Sequence, residues 1–477
     1  MKLLKNAIYN MIYQIFGIII PIVTVPYVSR VLGSEGIGEY SYTNSYVQYF
    51  VILGMIGISL YGNRQIAYHK KNKEKVSIEF WSIYLLQFIC TLISFIIYIV
   101  IFVIINKNNR ILYLAQSINL IATMFDISWL FIGFEDMKSV VVKNFVIKII
   151  GVILIFIFIK DINDLTKYII ILALSTLIGQ LVMWINLKEK IKVFMPSLKE
   201  IKKHFLPASK LFISQLAVQI YVLLDKTMLG IMTTDSQVGY YENSQKTIKL
   251  ALTLATSIGA VMLPRMASLY SDGKNKEFKQ LVYKSFSFIS FLAFPTLFGI
   301  IAIADRFAPW FYGSSFDGIQ NLIKVGAAII IAISWSNVLG MQIMIPLNKE
   351  KEFTISILIG VIVNVILNLF LITNLQALGT TIASVFAEFS VTIVQFYFLR
   401  NLVDFKKVLK LSFKPIIGSI IMYIIIHIVS IWLSIGILST IIEIVTGTLV
   451  YIICMVLFKH ELLFEILNKF KNVMKKV

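Results

Sequence analysis

The sequence predicts an all-α polytopic membrane protein of about fourteen transmembrane helices, arranged as two pseudo-twofold-related six-helix lobes plus two terminal helices. Three observations lead there. Composition comes first: 58% of residues are hydrophobic and 14% charged, with a mean hydropathy of +0.84, whereas soluble domains carry ~25% charged residues. Segmentation comes second, because the 477 residues fall into charge-poor runs of about 20, the length that crosses a bilayer. The third is a duplication. Ile37, Gly38, Glu39 and Tyr40 open an apolar run that reaches Arg64 and Ala67, and Val238, Gly239, Tyr240 and Tyr241 open one that reaches Arg265 and Ser268 at the same offset. Duplicated membrane halves are how transporters build a cavity about a pseudo-twofold axis.

The charge-poor runs give the passes in order. The first six are expected at roughly Asn6 to Ser29, Tyr40 to Asn63, Phe80 to Asn106, Ile111 to Gly133, Val141 to Ile159 and Tyr168 to Leu187. The next six are expected at roughly Ala208 to Thr233, Gly239 to Pro264, Ser285 to Ala304, Asp317 to Pro346, Phe353 to Ile372 and Leu378 to Leu399. Two more run from about Pro415 to Leu433 and from Gly436 to Phe458, outside the duplicated unit. No charge separates Glu352 from Glu388, so only Asn374 to Gly379 marks a turn there, and thirteen and fourteen passes both stay open. The domains follow as 1–200, 201–400 and 401–477. The first run is too long for a signal peptide and lacks a small-residue cleavage site, so it reads as a membrane helix.

Basic residues orient the chain. Most of the 44 lysines and arginines fall at the amino terminus, the tail and the even-numbered connections, among them 188–204, 265–279 and 400–414, which puts both termini in the cytoplasm. The net charge of +19 is scattered over short loops, so it reads as topology with anionic lipids as partners, and not as nucleic-acid binding. Residues 460–477 place Leu463, Ile466, Leu467, Phe470 and Val473 at near-helical spacing among charges, which suits either an interfacial helix or a solvated tail. Cys90 and Cys454 lie far apart in apolar runs and predict no disulfide.

A charge inside a membrane helix costs roughly 2.5 to 3.5 kcal/mol, so such residues face a cavity or a partner. Glu242, Lys246, Lys249, Thr253 and Ser257 follow three-to-four spacing along one face of the eighth helix, and Asp225 and Lys226 sit in the seventh. The first helix has a milder polar face, from Asn6 and Asn10 to Thr24, and the second offers Asn44 and Gln48. These four helices hold equivalent places in the two halves, so they are expected to line one hydrophilic cavity; a snorkelling interfacial cluster is the alternative for the eighth helix. Among six arginines and 38 lysines, Arg64 and Arg265 are repeat-related and end the second helix of each half, where a guanidinium binds phosphate bidentately or anchors the helix. Arg30 caps the first helix on the outer side. Asp126, Asp225 and Glu388 are candidates for ion coupling, with Lys148 and Lys324 as alternative structural partners of Asp126 and Glu388. Glu443 and His427 read as structural.

The run from Pro21 through Val25, Pro26 and Tyr27 to Ser29, Arg30, Val31, Leu32 and Gly33, followed by Gly36, Ile37, Gly38 and Tyr40, resembles the polysaccharide biosynthesis flippase family of the multidrug, oligosaccharidyl-lipid and polysaccharide exporter superfamily. So does Gly57 through Tyr61, Gly62, Asn63 and Arg64 to Ile66 and Ala67, and later Asp225, Leu229, Gly230, Val238, Gly239 and Tyr241. The resemblance implies a bacterial cell-membrane protein that flips an undecaprenyl-pyrophosphate-linked oligosaccharide repeat unit outward by alternating access, for capsule, O-antigen or exopolysaccharide assembly. A polysaccharide polymerase and glycosyltransferases are its implied partners; the oligomeric state stays open, and a monomer can suffice. The sequence departs from a purely cationic lumen, since Asp225 and Glu242 accompany the lysines. A lipid II flippase is a close alternative. A multidrug exporter fits less well, because the eighth helix is net positive. A repeat-unit polymerase or glycosyltransferase would need a large outer loop or a catalytic constellation, and no nucleotide, metal or nucleophile motif occurs, so no enzyme activity, cofactor or metal is expected.

Overall fold

The computed structural model describes residues 2–106, 108–256 and 259–464. Among them every regular element is helical. Nine stretches among the described residues are long and apolar enough to cross a membrane. Two of these nine join a pair of passes across a kink: Gly33, at φ 67°, divides the segment before Met55, and Gln376, at φ 51°, divides Glu350–Phe398. With Met137–Phe158, Leu198–Met232 and the pair Asp235–Thr256 and Gly259–Ser271, the passes number fourteen. In chain order they are α1 (2–32), α2 (34–69), α3 (Lys73–Ile105), α4 (Arg110–Gly133), α5 (Met137–Phe158), α6 (Ile162–Trp184) and α7 (Leu198–Met232). Then follow α8 (235–256 and 259–271), α9 (Asn275–Tyr312), α10 (Ile319–Met344), α11 (350–375), α12 (377–398), α13 (Phe405–Ile431) and α14 (Ile437–Leu457).

Local sequence explains where the helices start. Asn72 accepts hydrogen bonds from the Glu74 and Lys75 amides at the head of α3, and Asp404 accepts one from Lys406 at the head of α13. At α7, Ser197 and Glu200 form a reciprocal capping box. The backbone and hydroxyl hydrogen bonds from Ser197 hold the Glu200 carboxyl below the usual range. Irregular backbone is tolerated at membrane depth where protein surrounds it. Thus α4, predicted as one rod, is interrupted at Ser117 and again at Phe125 to Ile127, where Gln87 donates to the carbonyls of Thr123 and Asp126 at 2.8 and 2.9 Å.

By contacts the chain separates into two compact units, Met1–Gly239 and Tyr240–Val477. In the first, Trp129, Phe80, Ile83, Tyr84 and Ile66 form a buried core that ties α2, α3 and α4. Its most compressed point is a glycine pair: a Cβ on Gly38 would overlap the Asp235 carbonyl, and one on Gly239 would overlap the Ser34 carbonyl. Each hypothetical Cβ also lies 3.0 or 3.1 Å from the other glycine's amide nitrogen. Ser34 and Asp235 stand at the same offset as Gly38 and Gly239, so the duplicated motif meets its own copy with twofold-like reciprocity. Only glycine permits that approach.

The second unit packs around Phe286, Val282, Ile330, Trp335 and Phe396. The terminal helices α13 and α14 lie against α9. Ser412 meets Ser290 at 2.9 Å, Tyr451 donates to the Phe291 carbonyl at 2.7 Å, and Trp310 donates to Thr440 at 2.8 Å. Arg306 of α9 reaches the Leu433 carbonyl and the fully buried Glu443, whose Oε1 is 3.6 Å away. Residues 465–477 of the expected interfacial helix lie outside the described residues, as do the side chains of Asn6 and Asn10. Cys90 and Cys454 are free thiols.

Candidate functional site

The sequence-derived candidates divide between the units. Arg30, Asn44, Arg64, Asp225 and Lys226 belong to the first, and Glu242, Lys246, Lys249 and Arg265 to the second. In the second unit, Glu242 and Lys246 form an i,i+4 ion pair at 3.2 Å on α8, with the carboxylate nearly buried and the ammonium half-buried. Lys249 lies one turn further along the same helix and is exposed. This face therefore carries two ammonium groups for one carboxylate, and a net positive helix face attracts multiply charged anions.

In the first unit, Asp225 is buried at 2% exposure while its neighbour Lys226 is half-buried. Two residues on, Thr227 meets Ser45 at 3.3 Å and Tyr49 at 3.1 Å, and Tyr42 covers Gly230. The polar face of α7 thus packs on α2. Asn44 accepts from Gln48 at 3.4 Å, and both line a polar cavity of about 570 Å³ enclosed by α1, α2, α4, α5 and α6. Arg30, Arg64 and Arg265 are exposed, and the Arg64 guanidinium sits 5.5 Å from the Tyr68 ring. Beside Arg64's turn, Tyr61 pairs with His204 Nδ1 at 2.8 Å, and Glu79 Oε2 approaches His204 Nε2 at 3.5 Å. Burial pushes the His204 imidazole down to about 4, against the pull of Glu79.

Among the coupling candidates, Asp126 orders a local turn. Asp126 accepts from the Ser128 amide at 2.8 Å, which starts the last short helix of α4. Lys324, expected beside Glu388, bonds Asp305 of α9 at 2.6 Å. Glu388 of α12 is half-buried and its carbonyl accepts from Thr392 at 2.9 Å. Among the described residues no three His, Cys, Asp or Glu side chains gather as a metal site would require.

A family model described as "Polysaccharide biosynthesis protein" matches residues 3–270, more than half of the chain. The chain belongs to this family. A relative from Escherichia coli K12, provisionally named an O-antigen transporter, is 24% identical over 412 residues, covering 84% of this chain and 97% of its own. A protein of Haloferax volcanii, provisionally named a low-salt glycan biosynthesis flippase, is 22% identical over 211 residues, 44% of either chain. Among solved structures, the inward closed conformation of the lipid II flippase MurJ superposes with a TM-score of 0.76 at 16% identity, covering 96% of this chain and 100% of that one. An inward-facing MATE multidrug transporter of the MOP superfamily follows the same fold, with a TM-score of 0.59 at 15% identity over 82% of this chain and 95% of that one. The fold is therefore that of this superfamily's transporters, and the protein is a multi-pass membrane protein.

Proposed function

We propose that this family member flips an undecaprenyl-pyrophosphate-linked oligosaccharide repeat unit from the inner to the outer leaflet of a bacterial cell membrane, with both termini cytoplasmic. The lipid-linked glycan follows from relatives named for O-antigen transport and glycan flipping. The observation that carries the reading is the net positive face of α8, where Lys246 and Lys249 outnumber Glu242. A buried pyrophosphate needs several fixed cations, because its desolvation penalty exceeds what one ammonium repays. Lys226, Lys246, Lys249 and Arg64 are the proposed partners, with Arg30, Asn44, Asp225, Glu242 and Arg265 as further substrate-binding candidates. Alternating access would rock residues 1–200 against 201–400, and Asp126, Asp225 or Glu388 would reset the empty carrier by transient neutralisation. Glycosyltransferases and a polymerase would act before and after the step, anionic lipids would flank the basic connections, a monomer would suffice, and the chain itself would catalyse no reaction.

The test is complementation of a flippase-deficient strain by the Lys246→Ala, Lys249→Ala, Arg64→Ala triple variant. Export should fall to the vector control while the protein stays in the membrane. Full complementation would overturn the proposed pyrophosphate site. A lipid II substrate shares the pyrophosphate chemistry, and the Bacillus subtilis lipid II flippase MurJ is 28% identical over 143 residues, 29% of this chain. Running the wild type in a strain lacking its lipid II flippase separates the two substrates.

A further inference from the structure

The polar cavity of the first unit has a lining unlike the charged face of α8. Its walls carry six carboxamides, Asn44, Gln48, Gln116, Asn119, Asn144 and Gln180, with one cation, Lys148, and no carboxylate among the described lining residues. Two tyrosines, Tyr40 and Tyr168, border it with ring centroids 5.3 Å apart in an edge-on arrangement. The amides are already ordered by one another. Asn119 donates to both oxygens of Gln116 at 3.1 and 3.0 Å, and Gln116 donates to Thr43 at 3.3 Å and to the Tyr40 carbonyl at 3.4 Å. Across the cavity on α6, Gln180 Oε1 is buried and accepts no hydrogen bond from the described residues.

A pre-ordered set of amide donors and acceptors beside aromatic rings matches a ligand that both donates and accepts at many points. A buried acceptor such as Gln180 Oε1 carries a desolvation cost that a donor from the ligand removes. The volume of about 570 Å³ falls within the range of small-molecule sites, ~300 to 1,000 Å³. Multiply charged anions are poor candidates, because one ammonium leaves most of their charge uncompensated, and organic cations meet a repelling lysine. We propose that this cavity binds a single hydroxyl-rich, N-acylated sugar residue, held by the carboxamides of α2, α4, α5 and α6. The proposal rests on the flippase reading only for the source of such a sugar, which would be the glycan of the carried repeat unit.

The experiment is saturation-transfer NMR on the detergent-purified protein with four soluble probes: N-acetylglucosamine, glucose, inorganic pyrophosphate and tetraphenylphosphonium. N-acetylglucosamine should bind, glucose more weakly, and the two ions should not compete with it. Gln180→Leu should weaken sugar binding at least tenfold, and Asn144→Leu, on a different helix, gives the same readout should the first variant fail to fold. Absence of sugar binding by the wild type, unchanged binding in both variants, or displacement of the sugar by either ion overturns the site. Because the probes lack lipid and pyrophosphate, a failed flippase assay leaves this result standing, and the reverse holds as well.

Discussion

The two copies of the duplicated motif have the same geometry and different chemistry. At the fixed offset, Ser41 matches Glu242, Asn44 matches Gln245, Ser45 matches Lys246 and Gln48 matches Lys249. In the first copy these positions are consumed locally. Ser41 and Ser45 are buried, Ser45 bonds the Tyr42 carbonyl and Thr227, and Asn44 with Gln48 faces the amide cavity. In the second copy three of the four positions carry charge, and two of those charges pair with each other. Duplication supplied two equivalent scaffolds, and divergence placed neutral amides on one and net positive charge on the other. A lipid-linked saccharide needs both kinds of surface, because its glycan is recognised by neutral hydrogen bonds and its pyrophosphate by cations.

The largest effect that tests this contrast is loss of charge from the second copy. Lys246→Ala with Lys249→Ala should reduce export a hundredfold or more in a quantitative surface-polysaccharide assay, while Ser45→Ala at the matching first-copy position should leave export within twofold. Equal effects of the two changes would erase the distinction. Next comes the glycine pair, whose reciprocity predicts equal penalties. Gly38→Ala and Gly239→Ala each force a Cβ into a backbone carbonyl, and overpacking of that kind costs about 1 to 3 kcal/mol or more. Both should lower the thermal unfolding midpoint by similar amounts in detergent, and a loss at one position alone would show that the motif copies are not equivalent.

A pH effect of similar size is expected at His204. Its folded-state pKa is depressed to about 4 by burial, below the ordinary ~6.5. The contribution is therefore fully present above about pH 6.5 and is lost as pH falls toward 4, by a few kcal/mol at most. Stability of the wild type should decline across that window by thermal unfolding, and His204→Gln should flatten the decline. A smaller effect is expected at Thr227, whose hydroxyl joins Ser45 and Tyr49. Thr227→Val should cost about 1 kcal/mol with export unchanged, because this network belongs to packing of the first copy.

Much of the fold was legible because lipid imposes long apolar runs and duplication repeats them. The turn expected at 374–379 falls at Gln376, where left-handed backbone separates α11 from α12 and gives fourteen passes in place of thirteen. What composition did not reveal is where passes break internally: Ile56 and Gly57 inside α2, Ser117 inside α4, and the wide turns at Ile99–Ile105 and Asn337–Met344. These depend on tertiary partners such as Gln87, which satisfies carbonyls 36 and 39 residues away in sequence. The α8 stripe was readable because charge in an apolar run stands out. The amide cavity was not, since Gln116, Asn144 and Gln180 are isolated polar residues on three helices and only the fold brings them to one space. The Lys324 to Asp305 bond escaped for the same reason, as it joins separate passes.

The most direct test of the central claim is flipping of a fluorescent polyprenyl-pyrophosphate-linked oligosaccharide by the purified protein in vesicles under a clamped potassium-diffusion potential, with proton and sodium gradients imposed separately. The pyrophosphate carries about two negative charges, so movement away from the negative side gains ~2.3 kcal/mol per charge for each 100 mV. The account predicts protein-dependent flipping that accelerates when the donor side is made negative and collapses in the Lys246→Ala, Lys249→Ala, Arg64→Ala variant. Flipping no faster than in empty vesicles, or flipping that ignores the potential and the triple substitution alike, would contradict it.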